Sequence, residues 1–140
     1  MRGIVAALFL VWVAAVALPA GLGAQAQKGG NPKAAAVKNP VPSTPASIKV
    51  GQQAYGKACR HCHGLRAKGD GPLAPKNPSP ADLTDATWIY GSTDGDIYAI
   101  IANGVGGSSE MKGLRSELTT NQMWSIVNYL RSLGPKDAVR

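Results

Sequence analysis

The chain has 140 residues, enough for one small domain. With 44% hydrophobic and 16% charged residues it is neither disordered nor fibrous, and two cysteines exclude a scaffold held by several disulfides. The net charge is +7, but over residues 47–140 only eleven basic residues face eight acidic ones, without clustering, which argues against a nucleic-acid partner.

The N-terminus reads as an export signal. Met1-Arg2-Gly3 is a short positive start, followed by the apolar run Ile4 to Leu18 and by small residues at Ala24-Gln25-Ala26. This pattern predicts a signal peptide over 1–26, with Gln27 the first mature residue. The alternative is an uncleaved inner-membrane anchor, since the 22 uncharged residues from Gly3 to Ala24 can span a bilayer. Either way the rest is exported, and a periplasmic location is expected, with membrane contact only if the segment stays. Residues 27–46 carry four prolines and three lysines with no acid and no hydrophobic period, which predicts a flexible linker. The folded domain is expected over 47–140.

Three helices are expected there. The first runs from about Lys49 to Ala58, with Gly51, Tyr55 and Ala58 on one face and Ala54 beside them. A glycine inside a helix costs roughly 1 kcal/mol relative to alanine, and close crossing by another helix is the obvious reason for Gly51. The second starts near Ser92 or Thr93, presents Ile97, Ile100 and Ile101, and ends at Asn103-Gly104. The third is capped by Thr119 with Gln122, carries Met123, Ile126, Val127, Leu130 and Leu133 at helical spacing, and stops at Gly134-Pro135. Between the first two lie about 33 residues rich in glycine and proline with no strand pattern, a length that suggests a loop wrapped around something. Aromatic side chains are few, and no Phe follows Phe9. Something other than side chains is expected to fill part of the core.

The chemistry lies in Cys59-Arg60-His61-Cys62-His63. C-x-x-C-H is the attachment site of c-type haem. Two cysteines three apart on a helical turn can reach the two vinyl groups at one porphyrin edge, and the next residue projects an imidazole under the iron. Three other readings stand beside it. A Cys59–Cys62 disulfide suits an oxidising compartment. A thioredoxin-like dithiol lacks its βαβ surroundings. Zinc would need four ligands from five residues, a poor tetrahedron. In the haem reading His61 is an exposed spacer.

Residues 47–134 resemble a class I cytochrome c, the single-haem, His/Met-ligated bacterial type. The matching features are Gly51 and Tyr55, Cys59-x-x-Cys62-His63-Gly64, Gly69-Asp70-Gly71-Pro72, Pro80-Ala81-Asp82-Leu83-Thr84, Gly104, Met111, and Trp124 to Leu130. The resemblance implies an all-α small cytochrome c fold of about three to four helices with long loops around one haem c, bound through Cys59 and Cys62. It also implies that Gly51 crosses the last helix at Tyr129 or a neighbour. His63 and Met111 are the expected iron ligands. Beyond the export segment the methionines are 111 and 123; Met123 sits on an apolar helix face, whereas Met111 lies in the polar loop Gly104 to Gly113. Met111 is followed by Lys112 where the family often has proline. The family's acceptor for the ligating imidazole's other N–H is a proline carbonyl, which points to Pro72, with Pro75 as runner-up. Trp88, Tyr90 and Arg66 could reach the haem propionates, and ordinary packing or solvation accounts for them equally well.

The expected function is one-electron transfer, with no catalytic residues, working with redox protein partners of a respiratory or dehydrogenase complex. The alternative is a haem enzyme or small-ligand binder with an open or labile sixth site. Lys57, Arg60, Lys68, Lys76 and Lys112 are expected to form a weakly positive docking face for an acidic partner, with Asp70 and Glu110 the acids close by.

Overall fold

Three reciprocal capping boxes fix where the long helices begin. They join Thr44 with Ser47, Thr93 with Asp96, and Thr119 with Gln122, each side chain bonding the other's backbone N–H. The computed structural model describes residues 26, 28–106 and 111–134, so the expected export segment lies almost wholly outside the described residues. The elements are α1 (Pro32–Ala35), α2 (Pro45–Ala58), α3 (Arg60–His63), α4 (Asp94–Asn103) and α5 (Thr120–Leu133). Among the described residues the sole β pairing is an isolated antiparallel bridge, Gly104 to Lys112.

Helix α5 is the spine. Its residues 123–130 are all buried, because α2 covers one side and α4 another. Gly51 of α2 lies against the Ser125 carbonyl and the Tyr129 Cβ, where any side chain on Gly51 would overlap the carbonyl. One turn on, the Tyr55 and Tyr129 rings meet at 5.3 Å between centroids. The expected close crossing is there. Tyr55, Ile97, Ile101, Met123, Trp124, Ile126, Val127 and Leu130 build the core, and Tyr98 of α4 stacks on Trp124 at 4.1 Å.

The segment expected to be a flexible linker is instead a strap laid over α4 and α5. Asn31 caps α1 through the amides of Lys33 and Ala34, and its own amide donates to the buried Asp96 carboxylate at 3.0 Å. Asn39 Nδ2 donates to the Trp124 carbonyl and, at 2.9 Å, to Asn128 Oδ1. Asn128 Nδ2 in turn donates to the carbonyls of Val41 and Pro42 and to Ser47 Oγ. Polar groups and backbone do most of the holding, and the apolar contacts of Ala34 and Val41 fall at no helical or strand period. Hence hydrophobic periodicity could not reveal it. The same segment supplies the cap that starts α2 at Pro45, four residues before the expected Lys49.

Candidate functional site

Helix α2 runs directly into the motif. Cys59 closes α2 and opens α3, with its amide on the Tyr55 carbonyl and its own carbonyl accepting from the amides of Cys62 and His63. The next carbonyls are taken in order by the chain that returns from the turn. Arg60 accepts from Gly64, His61 from Leu73, Cys62 from Gly71 and His63 from Gly69, at 2.7–3.1 Å. The buried Tyr55 hydroxyl donates to the Gly64 carbonyl at 2.7 Å, and burial raises its pKa above the ordinary tyrosine value. Glycine-rich residues 64–71 are therefore not slack. They wrap the motif and freeze its backbone.

Both thiols are free, so the structure holds no Cys59–Cys62 disulfide. Cys59 packs against the core; burial first, and the Cys62 thiol second, push its pKa up to about 12, so it is a neutral thiol at neutral pH. The Cys62 thiol faces the Leu73 carbonyl at 3.6 Å. Burial lowers the pKa of His63, opposed by the Ala81 backbone, and leaves a neutral imidazole able to donate a nitrogen lone pair to a metal. Its Nδ1 is the one buried side-chain nitrogen or oxygen, among the described residues, without a hydrogen-bond partner. Among those residues no group of three His, Cys, Asp or Glu side chains could hold a metal ion, which leaves the zinc reading without support.

Two free thiols and a neutral imidazole on one pegged turn fit a covalently attached haem. His61 is exposed, as a spacer should be. The expected proline carbonyl is not met. Pro72 is exposed, Nδ1 has no bond to it, and the backbone group acting on the His63 ring is that of Ala81, which follows Pro80. The sequence placed Ala81 within a matching stretch, but a backbone acceptor carries no side-chain signal.

Met111 sits elsewhere, on the loop that leaves α4. Its carbonyl accepts from the Val105 amide at 3.0 Å, beside the Gly104–Lys112 bridge, and Leu114 bonds back to Ile101. Met111 is half-buried and its backbone is fixed on both sides; residues 107–110, including Glu110, lie outside the described residues. Met123 is fully buried in the core. Trp88 donates its indole N–H to the Asp85 carbonyl and lies 6.0 Å from the Arg131 guanidinium.

The surface around the motif is mixed. A groove of about 460 Å³ is lined by Arg60, His61, Gly64, Leu65, Arg66, Asp70 and Pro72. Leu65 is 75% and Leu73 69% exposed. Of the cations expected to ring the site, Lys68 is tied to Asp82 at 3.1 Å and to the Thr84 hydroxyl.

Residues 46–130 match the family described as cytochrome C oxidase, cbb3-type, subunit III. A similar protein is the cbb3-type cytochrome c oxidase subunit FixP of Azorhizobium caulinodans, 36% identical over 91 residues, which are 65% of this chain and 28% of that one. Subunit CcoP of Rhodobacter capsulatus is 33% identical over 98 residues, 66% of this chain and 31% of the other. The chain thus spans under a third of the length of these curated relatives. Among solved structures, the Kuenenia stuttgartiensis reducing HAO-like protein complex Kustc0457/Kustc0458 matches with TM-score 0.62 and 28% identity, over 71% of this chain and 50% of that chain. Cytochrome cL of Methylophaga aminisulfidivorans matches with TM-score 0.54 and 26% identity, over 64% and 57%.

Proposed function

The chain belongs to the family of cytochrome C oxidase, cbb3-type, subunit III, with the all-α small cytochrome c fold and one covalently bound c-type haem, and from that premise we propose that it is an exported one-electron carrier. When bound, the haem iron takes up and releases a single electron between its ferric and ferrous states. Cys59 and Cys62 would hold it by thioethers, and His63 and Met111 would supply its iron ligands. The observation that carries this reading is the α3 turn, where every carbonyl from Cys59 to His63 is bonded while both thiols and the imidazole are left for other chemistry. The long glycine-rich return holds that turn, and so the backbone that carries His63, in place. The Ala81 backbone is the main-chain group that acts on the imidazole, while Nδ1 is left without a partner.

The test is a redox titration of the purified holoprotein together with exposure to carbon monoxide. A single one-electron wave, a methionine-to-iron charge-transfer band in the ferric spectrum and no carbon monoxide adduct are expected. A ready adduct without that band would assign the chain to small-ligand binding or catalysis instead.

The partner is a respiratory redox protein, an oxidase of the cbb3 type being the one its relatives point to. Arg60 and Arg66, with Asp70 the one acid among them, line a groove that holds exposed Leu65 and Pro72, an apolar centre with a rim of two guanidinium groups against one carboxylate, suited to brief contact with an acidic surface. Electron-transfer rates are therefore expected to fall as ionic strength rises, because screening cuts the reach of steering to about 8 Å at physiological salt. Stopped-flow rates that are flat or rise with salt would assign the contact to apolar packing. The N-terminal run exports the chain; cleaved after Ala26 it frees the domain, and retained it anchors the domain to the membrane.

A further inference from the structure

The strap decides how far the domain can stand from that run. Ala24 ends the stretch that holds neither charged nor polar side chains, and five residues later the Gly29 amide donates to the Ile89 carbonyl at 2.7 Å. Two residues further on, Asn31 is bonded to Asp96, and α1 packs on α4, where a side chain on Gly95 would overlap the Ala34 carbonyl. Five residues extend at most about 18 Å. Some 5–8 Å of that lies in the headgroup layer, which leaves slack of only about 10 Å. A free 20-residue linker would instead have wandered about 25 Å. A domain of this size has a radius of gyration near 13 Å, so its far side lies further from the attachment point than the tether can reach.

The attachment corner has the composition of an interfacial surface. Trp88-Ile89-Tyr90 lies at it, with Ile89 53% exposed and both aromatic residues half-buried, Trp88 resting partly on the core. Lys28 and Lys33 are exposed on the strap beside it. Of the acids there, Asp94 is paired with Arg131 at 2.8 Å, Asp96 is buried under the strap, and Asp85 alone is exposed, accepting from the Thr87 amide.

We infer that the corner formed by Gly29–Asn31 and Trp88–Tyr90 is the domain's bilayer-facing surface, seated on lipid headgroups so that the haem is held at a fixed orientation to the membrane. This rests on the reading of the N-terminal run as a retained anchor.

The test is electron paramagnetic resonance of the ferric holoprotein, full chain, in native membranes dried as oriented multilayers, with a carbonate wash as control. The expected result is a wash-resistant protein whose low-spin signals rise and fall with the angle between field and membrane normal. Inserting about 15 Gly/Ser residues after Lys28 should abolish that angular dependence while leaving the haem spectrum and wash resistance unchanged. A wash-resistant protein with no angular dependence overturns the inference and leaves the anchor standing. Release by carbonate, with Gln27 as N-terminus, overturns the anchor and the inference together. Angular dependence that survives the insertion assigns the orientation to another surface and also overturns it.

Discussion

Cys62→Ala is expected to abolish stable holoprotein, and Cys59→Ala to leave at most one thioether. The two cysteines occupy different surroundings on the α2–α3 turn. Cys59 packs against Tyr55 and the core, whereas Cys62 faces the returning chain at Leu73. Loss of either thiol leaves the backbone clamp intact, so the effect should be read in covalent haem retention, by haem staining of denatured protein and by intact mass. The haem-free chain is expected to be largely unfolded. Residues 64–93 form no helix or strand, and the buried core draws on few large side chains outside α5. A covalent haem stays on the chain in both states, so it stabilises the fold through the apolar burial and iron ligation that only the folded state completes. Circular dichroism of the Cys59→Ala/Cys62→Ala chain checks this; a cooperative melt of a haem-free domain would overturn it.

Different physical signals made some of this architecture readable and hid the rest. Helices α4 and α5 were legible because one apolar face repeats at helical spacing, from Ile97 to Ile101 and from Met123 to Leu130, and because Thr119 with Gln122 is a recognisable cap. The cap at Thr44 escaped because its partner is Ser47, not Glu or Gln, and because Pro45 ended a proline-rich stretch that read as linker. The strap escaped for a related reason. Asn31, Asn39 and Asn128 join segments up to 89 residues apart through amide hydrogen bonds, and such pairs leave no periodic trace. At the site, spacing alone singled out Cys59, Cys62 and His63 as one group, and α3 with its cap gathers them on a single turn. The backbone that acts on the His63 ring was not legible, since a main-chain group looks the same at Ala81 as at Pro72, and only the path of the loop chooses between them. The charge of Lys68 was likewise legible, but its pairing with Asp82, fourteen residues on, was not.

Met111→Ala is expected to lower the reduction potential substantially and to open the iron to carbon monoxide and cyanide, with only a small loss of fold stability. A thioether sulfur favours ferrous iron, so replacing it with water or nothing shifts the balance toward ferric. The backbone at Met111 should stay in place without the side chain, because the Val105 bond and the Gly104–Lys112 bridge use main-chain groups. Met123 is the internal control. It is 1% exposed on the inner face of α5, and truncation there leaves a cavity among Ile126, Val127 and their neighbours. Met123→Ala should cost about 2–5 kcal/mol of stability and leave the potential and the ligand-binding behaviour nearly unchanged. Potentiometric titration, carbon monoxide binding and denaturant melts of the two holoproteins separate the roles. Should Met123→Ala admit carbon monoxide while Met111→Ala merely melts earlier, the axial assignment made here is reversed.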